Sequence, residues 1–311
     1  MNFISRVAPE LKQGVTHLPP LHLPEDLAKA RQTVIPSAER SESVRIMARH
    51  IPRADSQEML IKIYEPIQRE GEKLPALLWI HGGGYVLGHP NGDDSLCESF
   101  VQAVGCVVIS PDYRLAPEHP FPAAIEDCYA ALVWLTCTAN EFNIDLSRLA
   151  IGGASAGGGL TAALALMARD RGGPAICFQM PLYPMIDDRN VTPSSHEITD
   201  PAVWNRANNL AAWTMYLGGD HARGDMLAYA APSRAKNLAG LPPVYTCVGQ
   251  LDPFRDETIE YVTRLAQAGV DVEFQLYPGC YHGFEHVVPN AEISQRAKVG
   301  YINALARALN R

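Results

Sequence analysis

The stretch LAIGGASAGGGLTAALALMARD, residues 149–170, sets five glycines around one serine, between an apolar run and a segment rich in alanine and leucine. Glycines that open a helix either cradle a phosphate or expose a nucleophile, and their spacing decides which. A dinucleotide-binding loop needs G-x-G-x-x-G, but counted from Gly152 or Gly153 the third position is Ala154 or Ser155. A G-x-x-x-x-G-K-[ST] loop needs a lysine, and Gly157 and Gly158 are each followed by another glycine. The pattern that fits is G-x-S-x-G, from Gly153 to Gly157, with Ser155 at its centre. A tight turn from strand to helix would force Ser155 into an unfavourable backbone conformation and lift its hydroxyl above a sheet. It would also leave no room for side chains two residues away on either side. The helix that follows points its positive dipole end at any negative charge forming there.

Outward from this turn the chain reads as alternating strands and helices. Strand-like runs occupy 44–51, 59–66, 76–83, 106–110, 149–154, 175–184, 243–249 and 272–278, with helices predicted over 93–104 and 122–138. Several of the runs are apolar throughout, as strands covered on both faces must be, and helices separate the later ones. The expectation is an α/β fold with a mostly parallel eight-stranded sheet and helices on both faces. The first runs, joined by short turns, are placed to pair antiparallel. Residues 1–43 lack strand alternation and hold one short helix in PEDLAKARQTV. Residues 186–230 interrupt the rhythm with two helix-like pieces bearing Trp204, Trp213, Met215 and Tyr216. An insertion of that size between core strands forms a lid or docks as a surface excursion.

Two further features complete a reaction centre. HGGG at 81–84 follows the third strand, and its backbone N–H groups at Gly83 and Gly84, with that of Ala156, suit an oxyanion hole. A serine nucleophile also needs a base, and the base an orienting acid. Asp252 lies just past the strand in VYTCVGQLDPFRDE, and His282 past the next one in VEFQLYPGCYHGFEH. Asp256 and Glu257 read as charges in the first turn of a helix, and His286 ranks behind His282, whose neighbour Gly283 lets the loop turn tightly. The histidines show no metal-ligand spacing, so no metal or cofactor is expected.

Composition narrows the class. The 311 residues carry a formal charge of −8 without basic clusters, which argues against a nucleic-acid partner. No stretch approaches a membrane span, and no secretory leader is evident. The seven cysteines are scattered singly, which reads as buried thiols in a reducing compartment, the cytoplasm.

With HGGG, GASAG, DPFRDE, HGF and SPDYRLAPEHPFPAAIEDCYAALVWL (110–135) in order, the sequence resembles the hormone-sensitive-lipase-like bacterial carboxylesterases of the α/β-hydrolases over roughly residues 44–311. The resemblance implies Ser155 as nucleophile, His282 as general base and acid, Asp252 as orienting acid, and Gly83, Gly84 and Ala156 as oxyanion donors. It also implies a helical cap built from 1–43 and 186–230 over a core of 44–185 and 231–311. The substrate would be a small ester of short to medium chain length, and the assembly a monomer or homodimer. Tyr85, Tyr183, Trp204, Trp213 and Met215 are candidates to line the substrate pocket. Members commonly carry Asp or Thr before the nucleophile; here Ala154 stands there, expected to point away from the reacting face. An amide, carbamate or lactone hydrolase would use the same groups, and a non-catalytic small-molecule receptor is the reading from a different class.

Overall fold

In the computed structural model, which describes residues 3–33, 41–53, 55–68, 71, 73–218 and 227–310, strand β3 (Leu74–Ile80) lies at the centre of the sheet. Its side chains alternate between two cores: Ala76, Leu78 and Ile80 join one apolar cluster, and Leu77 and Trp79 the other. All five are fully buried, and each of the larger ones contributes about 1.5–3 kcal/mol by leaving water. A strand buried on both faces must be apolar at every position, and this one is.

The other strands are β1 (Val44–Pro52), β2 (Glu58–Pro66), β4 (Val107–Pro111), β5 (Ile144–Ala154), β6 (Phe178–Leu182), β7 (Val244–Leu251) and β8 (Val272–Tyr281). They form one eight-stranded sheet in the order β1-β2-β4-β3-β5-β6-β7-β8. The β1/β2 and β2/β4 pairs are antiparallel, and every later pair is parallel. The helices Ala123–Cys137, Ala156–Asp170 and Arg255–Gln267 contribute to the first cluster, and Asp94–Val104 and Glu292–Leu309 to the second. The Ala156–Asp170 helix is buried from Ala156 to Ala168, which explains its small and apolar composition.

Differences from the sequence reading have local causes. β5 begins at Ile144 instead of residue 149, through a polar stretch in which Asp145 accepts from the N–H of Ser147 and pairs with Arg148. β3 ends at Ile80 because the chain turns away through Gly83 at φ +120° and Gly84 at φ +62°. β6 is shorter than the apolar run around it.

The N-terminal segment and the insertion between β6 and β7 carry short helices: Phe3–Arg6, Lys12–His17 and Leu27–Arg31 in the first, Pro193–Glu197, Arg206–Leu217 and Leu227–Ala230 in the second. The two segments are bonded to each other. Asn208 accepts from the N–H of Leu23 at 2.9 Å and donates to the Leu21 carbonyl at 2.9 Å, and Arg6 pairs with Glu197. The parts of the expected segments at residues 1–2, 34–40 and 219–226 lie outside the described residues. All seven cysteines are free thiols, and among the described residues no helix is long and apolar enough to cross a membrane.

Candidate active site

β5 delivers Ser155 directly into the Ala156–Asp170 helix, and the turn between them is as sharp as the sequence requires. Ser155 sits at φ 59°, ψ −117°, a conformation rarely tolerated outside glycine. Three bonds fix it: its N–H donates to the Leu182 carbonyl, and its own carbonyl accepts from Gly159 and Met185. A Cβ on Gly153 would fall 2.5 Å from the Gly157 carbonyl oxygen and 2.6 Å from that of Ile80, so the close approach demands glycine there.

The loops after β7 and β8 bring the other two groups. The Ser155 Oγ lies 2.8 Å from His282 Nε2, and His282 Nδ1 lies 2.7 Å from Asp252 Oδ2. The other carboxylate oxygen of Asp252 accepts the Phe254 N–H at 2.9 Å. Asp252 is thus fixed by its own loop while it faces the histidine. With Nδ1 turned to a carboxylate, the imidazole keeps its proton on that nitrogen and offers Nε2 to the serine hydroxyl. Asp252 is fully buried, and Ser155 is 8% exposed. Tyr183 and Phe254 meet the imidazole ring edge-on at centroid distances of 5.1 and 5.0 Å, which holds its plane.

A cavity of about 470 Å³ opens over these groups, walled by Gly82, Gly83, Gly84, Ala154, Ser155, Tyr183, Trp204 and His282 among others. It abuts a larger hollow of about 810 Å³ beneath the N-terminal segment, and the two share Leu21, Leu87, Gly88 and His89. Ala156 is the first residue of its helix, and Gly83 and Gly84 precede the turn at Tyr85. Among the described residues, neither Gly83 nor Gly84 donates its N–H to a backbone acceptor. His81, at the head of the glycine run, is buried against Tyr113, with ring centroids 4.2 Å apart. Burial lowers its pKa to about 4, which keeps it neutral, and its Nδ1 bonds the Gly82 carbonyl.

Several expectations are corrected. Of the five pocket candidates, Tyr183 and Trp204 line the cavity, while Tyr85, Trp213 and Met215 do not. Tyr85 stacks on Tyr216 at 3.9 Å and donates to the Met185 carbonyl, Trp213 is buried beside it, and Met215 packs against the same core. Their aromatic and apolar surface went to docking the insertion onto the body. Ala154, expected to point away, contributes to the cavity wall. Asp256 and Glu257 do stand in the first turn of the Arg255–Gln267 helix, but Glu257 is also buried there and accepts from the N–H groups of Ile186 and Asp187. Asp256 pairs with Arg255 and accepts from Ser194 N–H.

Asp93 in the cavity wall and Phe254 against the His282 ring escaped the sequence reading. Phe254 and Asp93 gave no signal beyond an aromatic after a proline and an acidic pair before a helix. His286 does line the cavity, at its exposed rim.

Comparison with known proteins agrees with the fold. Residues 77–286 match the model of a family described as having the alpha/beta hydrolase fold. The chain is 40% identical to esterase LipI of Mycobacterium tuberculosis over 231 residues, 73% of this chain and 72% of that one. It is 32% identical to an ethyl acetate hydrolase of Pseudomonas putida over 258 residues, 82% and 80% of the two chains. Among solved structures, a bacterial heroin esterase superposes with a TM-score of 0.93 at 39% identity, covering 99% of each chain.

Proposed function

This chain belongs to the α/β-hydrolase fold family, and from that premise we propose that it is a serine carboxylesterase hydrolysing short- to medium-chain carboxylic esters through an acyl-enzyme. The observation that carries the reading is the unbroken relay from Ser155 Oγ through His282 to the buried Asp252, opening into a cavity.

In this reading Ser155 attacks the ester carbonyl while His282 Nε2 takes its proton. Gly83, Gly84 and Ala156 direct N–H groups at the oxygen that becomes negative, aided by the N-terminus of the Ala156–Asp170 helix. His282, now cationic and held by Asp252, protonates the departing alcohol, and the same nitrogen then activates the water that releases the acid. Tyr183 and Trp204 wall the substrate. Residues 1–43 and 186–230 act as a cap over the core of 44–185 and 231–311. The Asn208 bonds to Leu21 and Leu23, and the presence of Leu21 and Trp204 in the cavity wall, support that division. A cavity of about 470 Å³ suits a small acyl and alcohol pair better than long lipid chains.

The test is hydrolysis of p-nitrophenyl esters from acetate to palmitate, with Ser155→Ala alongside. A maximum at short chains that disappears in the variant is expected. Equal rates for the two proteins on every ester would refute the assignment.

A further inference from the structure

Among the described residues, Asp93 is the single carboxylate in the wall of the cavity that holds Ser155. It sits beside Asp94, but the two acids are treated differently. Asp94 is buried against Lys62, which also donates to Asn91, and accepts from the Tyr64 hydroxyl at 2.6 Å. Its charge is answered inside the protein. Asp93 accepts one neutral hydrogen bond, from Trp79 Nε1 at 2.8 Å, and among the described residues no lysine or arginine pairs with it or lines the cavity.

The other titratable groups among the described wall residues are Tyr183 and four histidines. His81 is neutral through burial, His282 belongs to the relay, and His89 and His286 lie toward solvent. Burial raises the Asp93 carboxyl and His286 at the rim opposes that rise, while Glu285, whose buried Oε2 has no partner among the described residues, adds negative potential beside it. Two aromatic residues, Trp204 and Tyr183, line the same cavity. A carboxylate without a resident cation, next to aromatic walls, is chemistry that fits an organic cation: the ring quadrupoles and the negative charge attract the same group.

We propose that Asp93 is a specificity-determining residue that favours esters carrying an ammonium group, held between its carboxylate and the walls formed by Trp204 and Tyr183. The proposal rests on the esterase reading and adds the substrate class. Asp93 takes no part in bond making, so it acts through binding of the substrate's cationic end.

The experiment compares charged esters with neutral isosteres at pH 8. Acetylcholine is set against 3,3-dimethylbutyl acetate, and ethyl betaine against ethyl 3,3-dimethylbutanoate, in the wild type and in Asp93→Asn. The asparagine Oδ1 still accepts from Trp79. Expected is a preference for the ammonium ester, in kcat/KM, in at least one pair. Asp93→Asn should lower that preference about tenfold through KM, with the neutral ester changed less than about twofold. Charged-to-neutral ratios in both pairs that are the same in wild type and variant would overturn the proposal.

Two measurements on the wild type cover a variant that fails to fold. Raising NaCl from 50 to 500 mM should raise KM for the ammonium ester alone, and equal salt responses count against the proposal. Calorimetry should find choline binding more tightly than 3,3-dimethylbutan-1-ol, independently of turnover. Turnover of the neutral esters that is no faster than with Ser155→Ala would be a failure of the esterase reading instead, and the calorimetric comparison would still decide the role of Asp93.

Discussion

Gly157 and Ile80 meet with no room for a side chain: a Cβ on Gly157 would stand 2.0 Å from the Ile80 carbonyl oxygen. The contact locks the first turn of the helix after Ser155 onto the end of β3, so Ser155 and the glycine run that follows Ile80 are set by one packing relation. Gly157→Ala must push two backbones apart. It is expected to cost about 1–3 kcal/mol and to reduce activity with it. Urea unfolding followed by tryptophan fluorescence measures the first effect, and an unchanged midpoint would mean that the turn has slack.

Gly83 adopts φ +120°, and a Cβ there would lie 2.1 Å from the Leu87 carbonyl oxygen. Gly83→Ala therefore moves the N–H groups assigned to the oxyanion. A fall in kcat of roughly 10²–10³ is expected with KM altered much less, because the donors act on the transition state. A loss confined to KM would place the loop in substrate binding instead.

Asp252 divides its two oxygens between the Phe254 N–H and His282. Asparagine in its place can keep the first bond but presents a donor or a neutral acceptor to the second. Asp252→Asn should leave the melting temperature within a few degrees and lower kcat by about 10⁴. Thermal melting and steady-state rates on one ester, taken together, separate this from simple unfolding.

Glu257 offers a pH signature. Burial raises its carboxyl well above the 4.5 of the unfolded chain, reinforced by Asp187 and Asp252 and opposed by the two N–H bonds it accepts. The folded state therefore holds this proton to higher pH than the unfolded state does, and the linked stability declines as pH rises above 4.5 toward the folded value. Glutamine cannot titrate. Glu257→Gln should melt about 2–4 °C above the wild type at pH 8, with the gap closing near pH 4. Parallel melting curves across that range would show that the buried carboxyl carries no such cost.

Much of this architecture was readable because its determinants are local. Each strand of the sheet announced itself as a strand-like run, several of them apolar throughout, and the G-x-S-x-G turn can be recognised by the absence of side chains at Gly153 and Gly157. Asp252 and His282 could be located because each stands immediately after the last residue of a strand, β7 and β8. What the sequence concealed depends on partners distant along the chain. Tyr85 and Trp213 resemble pocket aromatics until Tyr216 and Met185 are found to occupy their ring face and hydroxyl. The place of Glu257 in the first turn of its helix was legible but its burial was not, because its partners, Ile186 and Asp187, lie about 70 residues earlier. Asp93 and Asp94 are indistinguishable as letters, and only the fold gives one of them a lysine.

The backbone at Ser155 sets reactivity against durability. A residue held at φ 59°, ψ −117° carries about 1–3 kcal/mol of conformational strain that glycine would shed. Ser155→Gly should accordingly melt above Ser155→Ala, although both lack the hydroxyl, and calorimetric scans of the pair read the difference directly. Drift toward a hardier molecule would thus have an inviting route at the very position proposed to perform the chemistry.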